Sequence, residues 1–263
     1  MNVVVTGGGT NAPIDDVRHL ANVSSGRFSA MIAEACLKRG ASVWHIHTPM
    51  AQLPYSRLAR FDLNTTDPEA EQARLAKLHR EWRSVADRLH LVPLAEGTVA
   101  DYGASLERVL LGQSIDVAFL AMAVSDFEPR PIPGKLDSQA ESIIIHALRT
   151  PKVIRSVRDW SPRLFLVGFK LLSRVPLPDL LAEAEAACLA NRADLTVAND
   201  LQTLREGRHT VHLVRPGHQV ETLEPSDSIA DQLVGRVFEL AEQANPRGDW
   251  PLLPKPRGAC YEG

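Results

Sequence analysis

The sequence predicts an α/β fold: a doubly wound, mostly parallel sheet with an inserted β arm or flap. Three observations carry this prediction. Near the start of the chain the apolar, β-branched run Val3-Val4-Val5-Thr6 meets Gly7-Gly8-Gly9, the pattern of a buried parallel strand whose C-terminal end faces a ligand. Ile115-Asp116-Val117-Ala118-Phe119-Leu120-Ala121-Met122-Ala123-Val124 is the strongest buried-strand run in the chain. Segments with apolar residues at helical spacing separate such runs, so strands and helices alternate.

The elements follow in order. Residues 2–6 form the first strand, and a long loop runs from Gly7 to about Ser24. Ser25-Gly26 opens a helix to about Arg39, with Met31, Ile32, Ala35, Cys36 and Leu37 apolar and Gly40 just past its end. Residues 41–47 read as a strand, and 48–65 as irregular, with Pro49 and Pro54. Asp67 caps a helix with Pro68 at its first position, and Leu75, Leu78, Trp82, Val85 and Leu89 give it one buried stripe. A strand over 89–94 and a helix over 99–111 follow, the helix turning Leu106, Val109 and Leu110 inward. Residues 128–149 break the rhythm. Pro129, Pro131, Pro133 and Gly134 lead to Lys135-Leu136-Asp137-Ser138, and 142–148 is a strand outside the alternation, an arm projecting from the sheet. Thr150-Pro151 opens a helix to about Arg158 by cap and proline; 164–169 is a strand, 178–191 a helix, and 194–198 a strand ending in Asn199-Asp200. Residues 210–214 and 219–223 form a hairpin, and Ser226 caps a last helix to about Gln243. Residues 1–244 are expected to form one domain, with 245–263 a loosely attached tail rich in Pro and Gly.

Composition narrows the function. The chain has 263 residues, 44% of them hydrophobic, enough for the core of one such sheet. A net charge of −3 does not suit a nucleic-acid partner, so any anion site must come from locally placed Lys and Arg. Cys36, Cys188 and Cys260 lack metal-ligand spacing, and the first two fall among Ala and Leu on helix faces, as buried thiols. No signal peptide and no membrane-length apolar run is present, so the expected setting is cytoplasmic, with no membrane partner.

In an open α/β sheet, ligands bind beyond the carboxyl ends of the strands. Those ends carry Gly7-Gly8-Gly9-Thr10, Ser125-Asp126-Phe127, Gly168-Phe169-Lys170 and Asn199-Asp200. Gly7-Gly8-Gly9-Thr10-Asn11-Ala12 fits the G-x-G-x-x-A pattern, so one alternative is a nicotinamide-dependent Rossmann reductase. Two features oppose it: Pro13, Ile14, Asp15 and Asp16 delay the helix, and His45-Ile46-His47-Thr48 offers no acid for a ribose hydroxyl. His45, His47 and His79 show no ligand spacing and are taken as structural or surface residues.

Gly7-Gly8-Gly9-Thr10, Pro13-Ile14-Asp15, Val17-Arg18 and Asn22-Val23-Ser24-Ser25-Gly26 together resemble the opening of the phosphopantothenoylcysteine synthetase (phosphopantothenate–cysteine ligase) family of coenzyme A biosynthesis. The resemblance continues through Ala121-Met122-Ala123-Val124-Ser125-Asp126-Phe127, Lys135-Leu136-Asp137-Ser138, Thr150-Pro151-Lys152, Gly168-Phe169-Lys170-Leu171-Leu172 and Ala198-Asn199-Asp200, every block in order over about residues 2–240. It implies a Rossmann-like, stand-alone ligase in which the carboxylate of 4′-phosphopantothenate attacks a nucleoside triphosphate, CTP or ATP with Mg²⁺. Cysteine then takes the acyl group from the acyl-nucleotidylate. By the same matching Lys135 is the flap lysine and Asn22 stabilises the intermediate. Asp126, Pro151, Lys152, Val153, Ile154, Phe169 and Lys170 contact the nucleotide, with Phe169 against the base. Gly8, Gly9, Thr10, Ser24, Ser25 and Gly26 shape the phosphate site, and Ala121, Met122, Ala123 and Asn199 join Asn22 around the substrate. No protein-held metal site is implied, and the family's homodimers complete the phosphopantothenate site across their interface.

Each residue also has a plainer role. Asn22, Ser24 or Ser25 could cap the helix, Lys135 could be a solvated lysine, Phe169 core, and Asp126 a turn cap. The chain also departs from the family pattern. Ser29 stands where a further glycine is usual, and Ala187 and Asn191 stand where the bacterial two-domain enzymes carry lysines toward the triphosphate. The departures leave a non-catalytic nucleotide-binding relative as a second alternative. They leave CTP and ATP both open, with Pro13-Ile14-Asp15 and the 168–172 stretch leaning toward CTP.

Overall fold

A computed structural model describes residues 1–137, 139 and 141–245. In chain order the elements are β1 (Asn2–Gly7), β2 (Asn11–Pro13), β3 (His19–Ala21), α1 (Arg27–Lys38), β4 (Ser42–His47), α2 (Pro68–Arg83), β5 (Leu89–Pro93) and α3 (Val99–Gly112). Then come β6 (Val117–Leu120), β7 (Phe127–Pro129), β8 (Ala147–Arg149), α4 (Val157–Trp160), β9 (Phe165–Leu172) and α5 (Leu177–Ala190). The last are β10 (Leu195–Asp200), α6 (Leu201–Arg205), β11 (Val211–Arg215), β12 (Gln219–Leu223) and α7 (Ile229–Ala244).

The main sheet has eight strands in the order β12-β11-β10-β9-β6-β1-β4-β5. Strands β10, β9, β6, β1, β4 and β5 run parallel, and β11 and β12 are added antiparallel. Alternation along β1 divides the core: Val3 and Val5 join α1 and α7 on one face, and Val4 joins α3 and α4 on the other. From β1 the connections run outward in both directions, to β4 and to β6, so the crevice expected of a doubly wound sheet opens between β1 and β6.

The mostly parallel, doubly wound sheet is present as expected, and several local expectations need correction. The loop from Gly7 to Ser24 contains the β2–β3 hairpin, pairing Asn11 with Ala21, Ala12 with Leu20 and Pro13 with His19. Three-residue strands are too short to show alternation. Only residues 117–120 of the long apolar run lie in the ladder; beyond them Ala123 bridges to Gly9. The arm strand is shorter than expected. Ala147–Arg149 pairs with Phe127–Pro129, while 142–146 form no ladder and Ile143, Ile144 and Ile145 are exposed. β-branched residues favour a pleated, half-buried surface, and nothing in this one chain supplies it there.

No helix begins at Thr150-Pro151. The Thr150 hydroxyl donates to the Ser125 carbonyl (2.6 Å), and a single 3₁₀ turn, Val153–Ser156, precedes α4. The stripe on α2 is half-buried, with no fully buried residue, because this amphipathic helix covers one margin of the sheet. Its caps are as expected: Asp67 accepts from the Ala70 N–H (2.9 Å). Ser228 rather than Ser226 begins α7; the Ser226 hydroxyl instead accepts from Gln232 Nε2 (2.7 Å). Cys36 and Cys188 are buried free thiols, and burial pushes both upward in pKa. Cys260 and the expected tail beyond Asn245 lie outside the described residues, as does Ser138.

Leu166 on β9 is fully buried, whereas Leu91 on the edge strand β5 is 44% exposed. Leu166→Ala is expected to lower unfolding free energy by about 2–5 kcal/mol in urea titrations, and Leu91→Ala by less than about 1 kcal/mol. Equal losses would contradict the placement of β9 inside and β5 outside.

Candidate active site at the strand ends

The site begins where β1 ends. Gly8 has φ +93, a conformation that disfavours any side chain, and its missing Cβ would lie 2.1 Å from Thr48 Oγ1. A Cβ on Gly7 would lie 1.9 Å from Ser29 Oγ, and one on Gly9 1.9 Å from the Asn22 carbonyl oxygen. The spaces are filled by the protein itself, through close approach of α1, the 48–52 segment and Asn22. Ser29, the departure from the family pattern, is accommodated, its hydroxyl donating to the Gly26 carbonyl (2.7 Å). The 48–58 segment is itself fixed by buried Glu34, which accepts from Tyr55 N–H (2.7 Å) and pairs with Arg57 (2.6 Å).

Backbone bonds zip this loop to the end of β6. The Ala123 N–H donates to the Gly8 carbonyl (2.9 Å), and the Thr10 N–H to the Ala123 carbonyl (3.0 Å). Thr10 Oγ1 accepts from the Ser125 N–H (2.9 Å), while the Thr10 carbonyl accepts from the Asn22 N–H (3.0 Å). Asn22 is thus one residue removed from Ser125. The capping role open to Asn22, Ser24 and Ser25 is excluded: α1 starts from Gly26 at φ +70 with no side-chain cap. Ser24 and Ser25 instead accept from the Gly26 and Arg27 N–H groups (3.4 and 3.3 Å).

Beside this loop lies a cleft of about 280 Å³. Of the residues singled out from sequence, Met122, Asp126, Pro151, Lys152, Val153, Ile154, Phe169 and Lys170 line it. Ala187 and Asn191 line it too, from the end of α5. Gly8, Gly9, Thr10, Asn22, Ser24, Ser25, Gly26, Ala121, Ala123, Lys135 and Asn199 do not. Asn199 is buried and donates its side-chain N–H to the Thr210 carbonyl (3.0 Å). The Phe169 ring stands edge-on to Phe28 of α1 (6.3 Å between centroids), and Phe28 meets His209 (4.4 Å).

The cleft's charges are mostly committed. Lys152 pairs with Asp126, both side chains more than half exposed, and Lys170 pairs with Glu183 (3.3 Å). Arg155, also in the lining, meets no carboxylate among the described residues. Sequence reasoning missed it because an arginine in a short turn carries no pattern. Tyr102 was missed as well, being one more apolar position of α3; burial pushes its hydroxyl up to about 12, against a hydrogen bond with Thr6. His45, fully buried with neither ring nitrogen hydrogen-bonded, is pushed down to about 3 by burial and by His47. His79 is exposed beside Trp82 (6.2 Å). No group of three or more His, Cys, Asp or Glu among the described residues could hold a metal ion, and no described helix is long and apolar enough to cross a membrane.

Lys135 is exposed on the arm beyond the cleft. The next residue is anchored: Leu136 N–H donates to buried Asp15 (3.0 Å). Burial alone would raise the Asp15 carboxyl. Bonds from the Leu136, Val17 and Arg18 N–H groups and the Arg18 guanidinium outweigh that and hold it at about 2.

A family model described as DNA/pantothenate metabolism flavoprotein C-terminal domain matches residues 1–88 and 92–240. Phosphopantothenate–cysteine ligase 2 of Oryza sativa subsp. japonica is 30% identical, covering 90% of this chain and 79% of its own length. The phosphopantothenate–cysteine ligase of Mus musculus is 30% identical, with 88% and 81% covered. The coenzyme A biosynthesis bifunctional protein of Thermococcus kodakarensis is also 30% identical over 81% of the chain, which spans 44% of that longer protein. Among solved structures, a Cab2 mutant in complex with phosphopantothenate-cysteine aligns with TM-score 0.78 at 25% identity, over 92% of this chain and 87% of that one. The DNA/pantothenate metabolism flavoprotein from Streptococcus pneumoniae aligns with TM-score 0.72 at 25% identity, over 91% and 99%.

The Asp15 carboxyl is expected to titrate near pH 2 rather than at its ordinary 3.8 when followed by NMR. Because its folded value is depressed, the stability it contributes is fully present above about pH 4 and is lost as pH falls through about 2. A midpoint near 3.8 would mean the anchor is open in solution.

Proposed function

Since the chain belongs to the DNA/pantothenate metabolism flavoprotein C-terminal domain family and matches its phosphopantothenate–cysteine ligases over most of its length, we propose that it joins 4′-phosphopantothenate to cysteine in coenzyme A biosynthesis. The observation that carries this reading is the Asn22–Thr10–Ser125 chain of hydrogen bonds, which ties the backbone of Asn22 to a residue of the cleft lining.

The reaction has two steps. The phosphopantothenate carboxylate attacks the α-phosphorus of CTP or ATP, bound as its Mg²⁺ complex, and pyrophosphate leaves. The cysteine amine then attacks the acyl carbon of the acyl-nucleotidylate, and the nucleoside monophosphate leaves with the bonding pair of the acyl–oxygen bond. The first step gathers negative charge on phosphoryl oxygens and requires fixed cations rather than a protein nucleophile. Lys135 supplies that charge from the arm, and Lys152, Lys170 and Arg155 supply it from the cleft. The apolar walls, Val153, Ile154 and Met122, take the base and ribose, and Phe169 contributes the cleft edge beside them. Gly8, Gly9, Thr10 and the Ser24–Ser25–Gly26 turn fix the backbone around the phosphates. In the second step charge develops on the acyl oxygen, and the neutral amide of Asn22 donates to it. Ala121, Ala123 and Asn199 hold the backbone against which the substrate lies.

The protein works as a homodimer, each exposed arm with Ile143, Ile144, Ile145 and Leu148 meeting its twin and covering those apolar side chains. The triphosphate is CTP or ATP, with the 168–172 stretch and Pro13-Ile14-Asp15 leaning toward CTP. The setting is cytoplasmic, and residues 1–244 act as one domain.

The purified protein is expected to release pyrophosphate only when phosphopantothenate, triphosphate and Mg²⁺ are present together. Assays with CTP and ATP side by side read both activity and nucleotide choice, and silence with both sinks the ligase reading. Asn22→Asp is expected to let the acyl-nucleotidylate accumulate while amide formation slows by about 10²–10³-fold. A normal rate in single-turnover measurements would remove Asn22 from the second step.

A further inference from the structure

The two residues given catalytic roles are far apart in sequence, Asn22 at one end of the β2–β3 hairpin and Lys135 on the arm. The structure shows what joins them. Asn22 is pinned at the hairpin's base, its N–H on the Thr10 carbonyl (3.0 Å) and its carbonyl against Gly9. At the tip the chain turns around the Asp15 carboxylate. One carboxylate oxygen accepts from the Val17 and Arg18 N–H groups (2.9 and 2.7 Å), and the other from the Leu136 N–H (3.0 Å) and the Arg18 guanidinium. Arg18 also reaches the Leu136 carbonyl (3.4 Å).

The same tip holds the other side of Lys135. The Gly134 carbonyl accepts from the Asp16 N–H (3.0 Å), and the Ile132 N–H donates to the Ile14 carbonyl (2.9 Å). Lys135 therefore sits between two residues, Gly134 and Leu136, that are both bonded to the hairpin tip, while its own side chain is free to reach into solvent. Gly134 at φ +82 makes the sharp turn before it. Asp15 is 3% exposed although it lies in a turn, followed by exposed Asp16 and Val17. A buried carboxylate with every bond going to the hairpin tip or the arm has a positional task.

We propose that Asp15 is a positioning residue that locks the arm to the hairpin tip and so fixes Lys135 relative to Asn22. The proposal rests on the ligase reading for the roles of those two residues; the clasp itself does not. Asp15 touches neither substrate nor nucleotide, and it acts through Lys135. Asparagine keeps an acceptor for the Val17 and Arg18 N–H groups but turns an NH₂ group toward the Leu136 N–H. Asp15→Asn should therefore spare the hairpin turn and release the arm.

The test has two arms. In hydrogen exchange of the full chain, Asp15→Asn is expected to speed exchange over residues 132–137 by about tenfold or more while β1, β6 and β9 keep their protection. Unchanged protection over 132–137 overturns the clasp, whatever the protein catalyses. Leu136→Pro, which removes the arm's donor N–H while also restraining the backbone at 135–136, gives the same exchange test over 132–134 and 137 if Asp15→Asn does not fold. In pyrophosphate release with phosphopantothenate, triphosphate and Mg²⁺, Asp15→Asn is expected to lower kcat about 10- to 100-fold with KM for the triphosphate within about threefold. In a Lys135→Gln background it should cost less than about twofold more, because the residue it positions is already gone. Independent, multiplicative losses would show that Asp15 acts by general stability and overturn the proposal. Absence of pyrophosphate from the unmodified protein would instead count against the ligase reading, and the exchange result would still decide the clasp.

Discussion

The site depends on one steric constraint, the absence of any side chain at the end of β1. Three close contacts converge there, from the Ser29 hydroxyl of α1, from the Thr48 hydroxyl after β4, and from the Asn22 carbonyl. Each occupies the place of a Cβ, so each exists only because residues 7, 8 and 9 are glycine. Remove that permission and α1 moves away from the sheet, the 48–52 segment lifts, and Asn22 loses its seat. The glycines thus act first on protein architecture and only through it on a ligand. The loop is a hub where four chain segments meet, the fourth being the 121–125 continuation of β6, zipped on by backbone bonds.

The legibility of the sequence follows the same physics. Strands buried on both faces announce themselves by composition alone, which is why β1, β6, β9 and β10 could be placed from their apolar runs. Helices α1, α3 and α7 were legible from periodicity, and α2 from Asp67 and Pro68. What stayed hidden was pairing without a composition signal. The β2–β3 hairpin has three residues a side, and the arm strand depends on a partner 20 residues away along the chain for its register rather than on its isoleucines. The cleft gathers residues of the 122–126, 151–154 and 169–170 motifs, whereas the glycine loop, Asn22 and Lys135 lie outside its lining. Tyr102 and Arg155 could not be found that way, since one resembles core and the other resembles surface until α3 and the 153–156 turn are docked. A phosphate cradle and a close-packed meeting of chain segments ask for the same residue, so the glycine run alone does not tell them apart.

Electrostatics in the cleft are arranged by pairing rather than by accumulation. Lys152 and Lys170 each have a carboxylate in reach, which leaves Arg155 as the lining cation with no carboxylate partner among the described residues and limits mutual repulsion. Both pairs are solvent-accessible and contribute little to stability, about 0–1 kcal/mol each. Weak pairs are suited to exchange: an incoming polyphosphate can take over a lysine at small cost because water competes for it already. Buried groups near the site behave oppositely. His45 stays neutral and Tyr102 protonated across the working range, so neither introduces a charge beneath the glycine loop.

The strand order also bears on how the chain reaches this state. β1 precedes both of its sheet neighbours along the chain, lying between β4 and β6, and its pairing with β6 joins residues such as Val3 and Val117. A nascent chain can lay β4 and β5 beside β1 early, but the crevice side stays an open edge until β6, and after it β9 and β10, have left the ribosome. Such non-local parallel pairing is slow and leaves unpaired backbone exposed in the interval. The same central position that lets β1 present its glycines to every neighbouring segment leaves one of its edges open until the distant β6 is made.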